Sequence, residues 1–384
     1  MHILEIPSFF PPHGGLFALE QARALQAQGN EVRMLACVQL GASVDKSFYF
    51  TARHDRWWEL MNGVEVYRCY MKATPRVIRR NQQRWCRIVE EMYEEYRLRY
   101  GCPDVLHAHC CQWAGVAARM IAEKEGIPFF ITEHLPSGIF EANYGKGWYK
   151  AEWAKRLLKE TYEHARQVIP VSAELVDDLA PFFGKGYPFT PVSNIIDVDF
   201  FAYKPRKDHA HRPFRFCCLA IGDVERKGYD VLAEAMRGMK KNGEEGVDVE
   251  LHIAGKKTTS TAMRQLFAGM ENVIFHGELD KKGVRNLLYE SDALVLASRS
   301  EAQGLVIMEA VSTGIPVVTT DAIPQNALTD GACLIAEKGD AHSLSQRMQE
   351  VMNLDFNPQW CEALRKRVAP DMIARQILEV FSRA

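Results

Sequence analysis

Ser298-Arg299-Ser300-Glu301-Ala302-Gln303-Gly304-Leu305-Val306-Ile307-Met308-Glu309 decides the fold. The segment before it, Ser291-Asp292-Ala293-Leu294-Val295-Leu296-Ala297, reads as a buried strand, and Ala302-Gln303-Gly304 reads as a turn. From Leu305 the apolar side chains recur at helical spacing through Met308, Val311 and Ile315. Glu301 therefore falls in the loop at a strand's C-terminal end, and Glu309 lies a turn inside the following helix. At about 1.5 Å per residue the two carboxylates stand roughly 8–12 Å apart along the axis. Between them the N–H groups of Gly304, Leu305 and Val306 open a helix N-terminus, which favours anions. The layout suits a ligand with phosphate at its middle and hydroxyl-rich rings at both ends, the shape of a nucleotide sugar. The plainer alternative is two surface glutamates near a helix start, where acidic residues are favoured anyway.

Working outward, Ser312-Thr313-Gly314-Ile315-Pro316-Val317-Val318-Thr319-Thr320 supplies a glycine stop, a proline and a short β-branched strand. Strand, loop and helix then alternate along the whole chain. Strands are expected at 2–6, 31–38, 63–70, 104–108, 128–132 and 167–170, with a loop-rich insertion at 40–62. Helices are expected at 16–28, 77–99, 112–124, 149–165 and 172–180. The stretch 194–213, containing Lys204-Pro205-Arg206-Lys207-Asp208-His209-Ala210-His211-Arg212-Pro213, reads as a linker. A second series follows: strands 214–220, 248–254, 272–275, 293–297 and 316–320, helices 228–240, 305–314, 340–352 and 359–367, and a C-terminal helix at 371–383. Such alternation argues two parallel sheets, each covered on both faces. Ligands of open parallel sheets sit at the strands' C-terminal ends.

Two further loops carry candidate chemistry. Pro7-Ser8-Phe9-Phe10-Pro11-Pro12-His13-Gly14-Gly15-Leu16 leaves the first strand through Gly14 and Gly15, which let backbone approach a ligand closely. Ile221-Gly222-Asp223-Val224-Glu225-Arg226-Lys227-Gly228 leaves the first strand of the second series, and Arg226 with Lys227 could neutralise a diphosphate. His134, in Thr132-Glu133-His134-Leu135-Pro136, stands at another strand's C-terminal end. No G-x-G-x-x-G occurs, which argues against a dinucleotide-binding dehydrogenase.

Length and composition bound the rest. The 384 residues allow two or three domains, and 47% apolar with 25% charged residues is ordinary for a globular chain. A net charge of −2 gives no global attraction to nucleic acid. There is no run of about 18 apolar residues to span a membrane, and Met1-His2-Ile3-Leu4-Glu5-Ile6-Pro7 reads as a strand rather than a signal peptide. The ten cysteines are scattered and read as reduced thiols of a cytoplasmic protein. His107-Ala108-His109-Cys110-Cys111 lacks a second ligand pair at zinc spacing, so no metal is expected there.

Glu301-x7-Glu309 followed by Gly314-Ile315-Pro316-Val317-Val318 resembles glycosyltransferase family 4, the group 1 glycosyltransferases. Pro103-Asp104-Val105-Leu106-His107-Ala108-His109, Val192-Ser193-Asn194-Ile195-Ile196-Asp197-Val198-Asp199-Phe200-Phe201 and Asp321-Ala322-Ile323-Pro324-Gln325 extend the likeness. It covers nearly the whole chain and is strongest over 214–320, whereas 40–100 has no recognisable motif. The resemblance implies a GT-B fold, two facing α/β Rossmann-like domains with a cleft between them and a C-terminal helix crossing back. It implies an acceptor-binding domain over 1–200, joined by 371–384, and a donor-binding domain over 201–370. It implies a retaining, metal-independent transfer of a hexose from a nucleotide sugar to a hydroxyl acceptor, with no cofactor. Glu301, His134 and Lys227 would then serve catalysis. Gly14, Gly15, Arg226, Lys227, Gly304, Leu305, Val306 and Glu309 would bind the donor, Glu301 at the sugar and Glu309 at the ribose. Many members carry Gly-Arg where this chain has Gly222-Asp223, and Arg226 fits members that place arginine directly before the lysine.

By analogy the pathway is bacterial cell-surface polysaccharide or glycolipid synthesis, with a UDP-sugar favoured over a GDP-sugar and a carbohydrate or lipid-linked saccharide as acceptor. Residues 72–100, with Arg76, Arg79, Arg80, Arg84, Arg87 and Trp85, allow peripheral contact with the inner face of the membrane. The acidic second half of that segment favours a solvated helix instead. An epimerase or phosphorylase on the same architecture, or a non-catalytic nucleotide-sugar sensor, are the competing readings.

Overall fold

The computed structural model describes residues 1–41, 46–144, 151–205, 213–239 and 248–383. It divides into two compact units, Met1–Ile195 with Pro370–Ala384, and Ile196–Ala369. The linker segment 206–212, the first residues of the helix expected at 149–165 and the last of that at 228–240 lie outside the described residues.

The first unit holds seven strands: β1 (His2–Pro7), β2 (Glu31–Leu40), β3 (Trp57–Met61), β4 (Val64–Lys72), β5 (Val105–His109), β6 (Phe129–Glu133) and β7 (Gln167–Pro170). Their order is β3-β4-β2-β1-β5-β6-β7. Every pairing is parallel except β3 with β4. Residues of β5 and β6 are buried throughout, as helices on both faces require. The chain leaves β1 toward β2 on one side and returns at β5 on the other, so the switch point lies between β1 and β5.

The insertion at 40–62 departs from the loop expected there. It contains the helix Lys46–Thr51 and the edge strand β3, joined to β4 by Asn62-Gly63 at φ 48° and 88°. Two consecutive positive-φ residues make the tight turn whose twist suits a hairpin. The long arginine-rich helix is Ile78–Tyr100, and β4 runs on to Lys72 before it.

The second unit holds β8 (Phe214–Leu219), β9 (Val249–Ala254), β10 (Val273–Gly277), β11 (Ala293–Leu296), β12 (Val317–Thr320) and β13 (Cys333–Ala336), ordered β10-β9-β8-β11-β12-β13 and all parallel. Its switch point lies between β8 and β11. Strand β13 and the helices Thr261–Leu266 and Lys281–Glu290 add to the elements expected from sequence.

The last helix, Pro370–Arg383, belongs to the first unit although the second precedes it in the chain. Ile373, Ala374, Ile377, Val380 and Phe381 recur at helical spacing and are buried in the core that includes helix Leu16–Ala27. Phe381 packs on Phe130, ring centroids 4.6 Å apart.

Candidate functional site

In the second unit the candidate residues gather at the switch-point strands. The loop after β8 ends in the short helix Val224–Lys227, whose start is capped by Asp223: its carboxylate accepts from the Arg226 N–H at 3.2 Å and from Arg226 Nε at 3.1 Å. That explains the Asp223 departure from the family pattern. The position closes a helix turn, and Arg226 is turned back onto it. Gly228 follows at φ 63°, where an added Cβ would lie 2.0 Å from the Ala297 carbonyl oxygen. Only glycine allows the loop after β8 to sit this tightly against the end of β11.

The two loops are clasped together. The Arg299 N–H donates to the Arg226 carbonyl at 2.8 Å, and its guanidinium donates to both Asp230 oxygens, at 2.8 and 2.6 Å, and to the Glu225 carbonyl at 2.8 Å. This bidentate fork fixes the register of one loop on the other. Within the clasp, Lys227 Nζ donates to Glu301 Oε1, which also accepts from Ser298 Oγ at 2.7 Å. Both side chains of the ion pair are about one-tenth exposed. The Thr320 hydroxyl donates to the Ser298 carbonyl at 2.6 Å, tying the loop to β12.

Gly304, at φ 86°, starts the helix Leu305–Thr313, and the Ile307 N–H turns back onto the Gly304 carbonyl at 3.0 Å. The first N–H groups of that helix are left for an outside acceptor, as at any helix start. Glu309 lies one turn further in and is partly buried. The structure thus brings Lys227, Glu301 and the helix start at Gly304, Leu305 and Val306 to the C-terminal edge of one sheet. Arg226 is at the same edge but engaged with Asp223.

The first unit carries the remaining candidates. Gly14 and Gly15 stand at φ 93° and 81°, and a Cβ on Gly15 would lie 2.1 Å from the Phe9 carbonyl oxygen. Helix Leu16–Ala27 starts there, and its Phe17 ring packs against His134 at 3.9 Å between centroids, the planes inclined 32°. Behind His134 lies a buried polar cluster that sequence reading did not assemble. Glu5 on β1 takes His107 Nδ1 at 2.9 Å and His109 Nε2 at 2.7 Å, both from β5. His107 Nε2 meets the Thr132 hydroxyl at 2.7 Å, and His109 Nδ1 lies 3.5 Å from His134 Nε2. The sequence showed only that residues 107 and 109 share a strand face; the register that sets Glu5 opposite His107 comes from the sheet.

Burial works to raise the Glu5 carboxyl, but the His107 and His109 imidazoles outweigh it and bring it down to about 2. Burial pushes His109 below its ordinary value and His134 well below it. Burial raises the Glu133 carboxyl against hydrogen bonds from Tyr162 and from the N–H groups of Cys111, Leu135 and His134. The same burial pushes the Cys110 and Cys111 thiols up, away from nucleophilic use. Donor atoms of Glu5, His107 and His109 lie within 4.8 Å of one another, a spacing an ion can bridge, and both imidazoles are already hydrogen-bonded to Glu5.

Two α/β domains built on parallel sheets, the second with a helix start beside a lysine–glutamate pair, fit the GT-B class of transferase fold. Residues 215–353 match the family model described as "Glycosyl transferases group 1", and residues 14–194 match "Glycosyl transferase 4-like domain". The chain belongs to the group 1 glycosyltransferases of the GT-B fold, and it is a glycosyltransferase. It is 25% identical over 338 residues to TuaC of Bacillus subtilis, named as a teichuronic acid biosynthesis glycosyltransferase, covering 84% of this chain and 81% of that one. It is 28% identical over 261 residues to the D-inositol 3-phosphate glycosyltransferase of Pseudarthrobacter chlorophenolicus, covering 61% and 58%. Among solved structures, sucrose-phosphate synthase from Thermosynechococcus elongatus superposes with a TM-score of 0.76 at 17% identity, over 100% of this chain and 99% of that one. Anabaena HepE, solved with UDP-glucose, superposes with a TM-score of 0.71 at 14% identity over the full length of both.

Proposed function

We propose that the protein moves a hexose, with retention and without a metal, from a UDP-sugar to a hydroxyl of a carbohydrate or lipid-linked acceptor, in assembly of a bacterial cell-surface polysaccharide. The observation that carries this reading is the Lys227–Glu301 pair beside the helix start at Gly304, Leu305 and Val306. A diphosphate at that helix end competes with Glu301 for the Lys227 ammonium. Once Lys227 turns to phosphate, Glu301 is free to accept from the sugar's hydroxyls, held on its other side by Ser298. As the glycosidic bond to the donor breaks, negative charge grows on the departing diphosphate. The oriented N–H groups and Lys227 meet it without reorganising, which is commonly the largest contribution to catalysis. Glu309 would accept from ribose hydroxyls, and in the first unit Gly14 and Gly15 would serve donor binding and His134 catalysis.

UDP is favoured because HepE was solved with UDP-glucose, and a surface polysaccharide because TuaC is named for teichuronic acid. Thermal-shift screening against UDP-, GDP- and ADP-sugars tests the donor, and product NMR with a matched acceptor tests retention. Activity that survives exhaustive chelation supports metal independence; activity lost on chelation and restored by a divalent ion ends that part. Product formed from donor alone would favour an epimerase.

No described helix is long and apolar enough to cross a membrane. Peripheral contact remains part of the proposal, because Arg76, Arg79 and Arg80 line a groove of about 640 Å³ with Trp153. Charge reversal at Arg79, Arg80 and Arg84 should abolish binding to anionic liposomes, and equal binding would end that part.

A further inference from the structure

The buried cluster behind His134 has no part in the transfer chemistry derived above, yet its donors and acceptors form a continuous chain. Glu5 is fully buried, and one of its oxygens lies 2.9 Å from His107 Nδ1 and 2.7 Å from His109 Nε2. A carboxylate at that place can only accept, so both nitrogens must carry protons. A neutral His109 protonated on Nε2 has a bare Nδ1, which can only accept. The group facing that nitrogen is His134 Nε2, at 3.5 Å with the rings inclined 26°. His134 Nε2 must then be the protonated nitrogen, and His134 Nδ1 is left with a free lone pair. The polarity passes from a carboxylate on β1, through an imidazole on β5, to the loop after β6.

We propose that Glu5 and His109 are positioning residues that hold His134 as the neutral Nε2–H tautomer, so that it meets its ligand as a hydrogen-bond acceptor through Nδ1. This deepens the transfer reading and rests on it for the identity of the ligand. The matching ligand group is a donor, such as a sugar hydroxyl, and an anionic phosphate oxygen is disfavoured at that atom. The burial that pushes His109 and His134 below their ordinary values keeps both imidazoles neutral near pH 7, as the chain requires. Phe17 packs against the His134 ring, centroids 3.9 Å apart and planes inclined 32°. His107 is the branch that does not lead to His134: its second nitrogen meets the Thr132 hydroxyl.

The test is nitrogen-15 NMR of histidine-labelled full-length protein, which reads the tautomer directly and needs neither substrate nor activity. In the wild-type chain at neutral pH, His134 should show a bare Nδ1 and a protonated Nε2. Glu5→Gln, whose amide can donate to His109, should shift His134 toward the other tautomer or a mixture. His109→Phe removes the acceptor and should do the same, and it serves if the Glu5 variant does not fold. Thr132→Val should leave the pattern unchanged. In steady-state kinetics both relay variants should lower kcat by about tenfold or more while the donor KM changes by less than about threefold. A wild-type His134 protonated on Nδ1 or on both nitrogens would overturn the proposal, as would a tautomer unmoved by either variant. A chain with the expected tautomer but no transfer activity would instead refute the transfer reading, leaving the relay standing. A wrong tautomer in an active enzyme would refute the relay alone.

Discussion

At the residue scale, the second unit turns on Lys227. Its ammonium is held by Glu301 and the pair is nearly excluded from water, so an anion that displaces Glu301 meets the cation with little solvent screening. On the proposed reading Lys227 meets charge on the leaving diphosphate, and Lys227→Ala should lower kcat by about 10²–10³, the scale for losing one preorganised donor. Unchanged turnover would remove Lys227 from the mechanism. Glu309→Ala should instead weaken donor affinity by about tenfold, the cost of roughly one charged hydrogen bond, with kcat less affected. Calorimetric titration with the donor and initial-rate kinetics separate the two. The positions of Glu301, Gly304 and Glu309 after β11, and of Lys227 after β8, were legible in the sequence, because motif spacing around strand–loop–helix junctions places them. Asp223 was legible only as a departure, since a capping role depends on where the short helix begins. Ser298 was not picked out, although it sits three residues before Glu301, because its contact depends on the fold of the loop itself; the Arg299–Asp230 clasp was not legible because it joins two loops far apart in sequence.

At the scale of the element, close backbone approach at Gly228 sets the loop geometry. Gly228→Ala puts a Cβ 2.0 Å from the Ala297 carbonyl oxygen and strains a φ of 63°, so the clasp must open. A destabilisation of about 3 kcal/mol or more should appear in denaturant unfolding, with donor binding lost first. A variant as stable as the parent would contradict this packing.

The polar interior of the first sheet gives a pH dependence whose sign follows from its groups. His134 and His109 have folded pKa values below the unfolded value near 6.5, so the unfolded chain takes up more protons as pH falls past that value. Their contribution is complete above pH 6.5 and declines below it. Glu5, lowered to about 2, adds a loss that begins only below about 4.5. Glu133 works oppositely: its raised value favours the fold at low pH, and that contribution fades as pH rises through it. His134→Gln should therefore flatten the fall in Tm between pH 7 and 5 relative to the parent. Parallel Tm–pH curves would show that His134 is not buried as a neutral base.

Element existence was readable where a parallel strand is a continuous apolar run, as in β11 and over Phe129-Phe130-Ile131 of β6. Strand β3 was missed because it is an edge strand without clean alternation, with every residue partly or fully exposed. The signal that could have found it is Asn62-Gly63, a two-residue hairpin turn.

At the scale of the whole molecule, the chain builds two sheets of the same plan and returns its last helix to the first. That helix buries Ile373, Ile377 and Phe381, and each such side chain contributes about 1.5–3 kcal/mol. Their sum is comparable to the entire stability of a domain, about 5–15 kcal/mol. Deletion of 370–384 should leave the first unit molten or aggregated, with bound dye reporting exposed apolar surface. A truncated chain with unaltered Tm would contradict the assignment of the helix to that core. Two-domain architecture was legible because the strand–helix alternation restarts after 213. The buried Glu5–His107–His109 network was not, because it needs two strands 100 residues apart to be set side by side.

The central claim is that a nucleotide sugar's diphosphate docks at the amino end of helix Leu305–Thr313 and draws Lys227 away from Glu301. A crystal structure of the full-length protein soaked with a UDP-sugar tests it most directly. Phosphate oxygens should lie about 3 Å from the N–H groups at Gly304, Leu305 and Val306 and from Lys227 Nζ, with Glu301 turned to sugar hydroxyls. A helix end left empty at saturating nucleotide sugar, or a bound diphosphate with Lys227 still on Glu301, would contradict it.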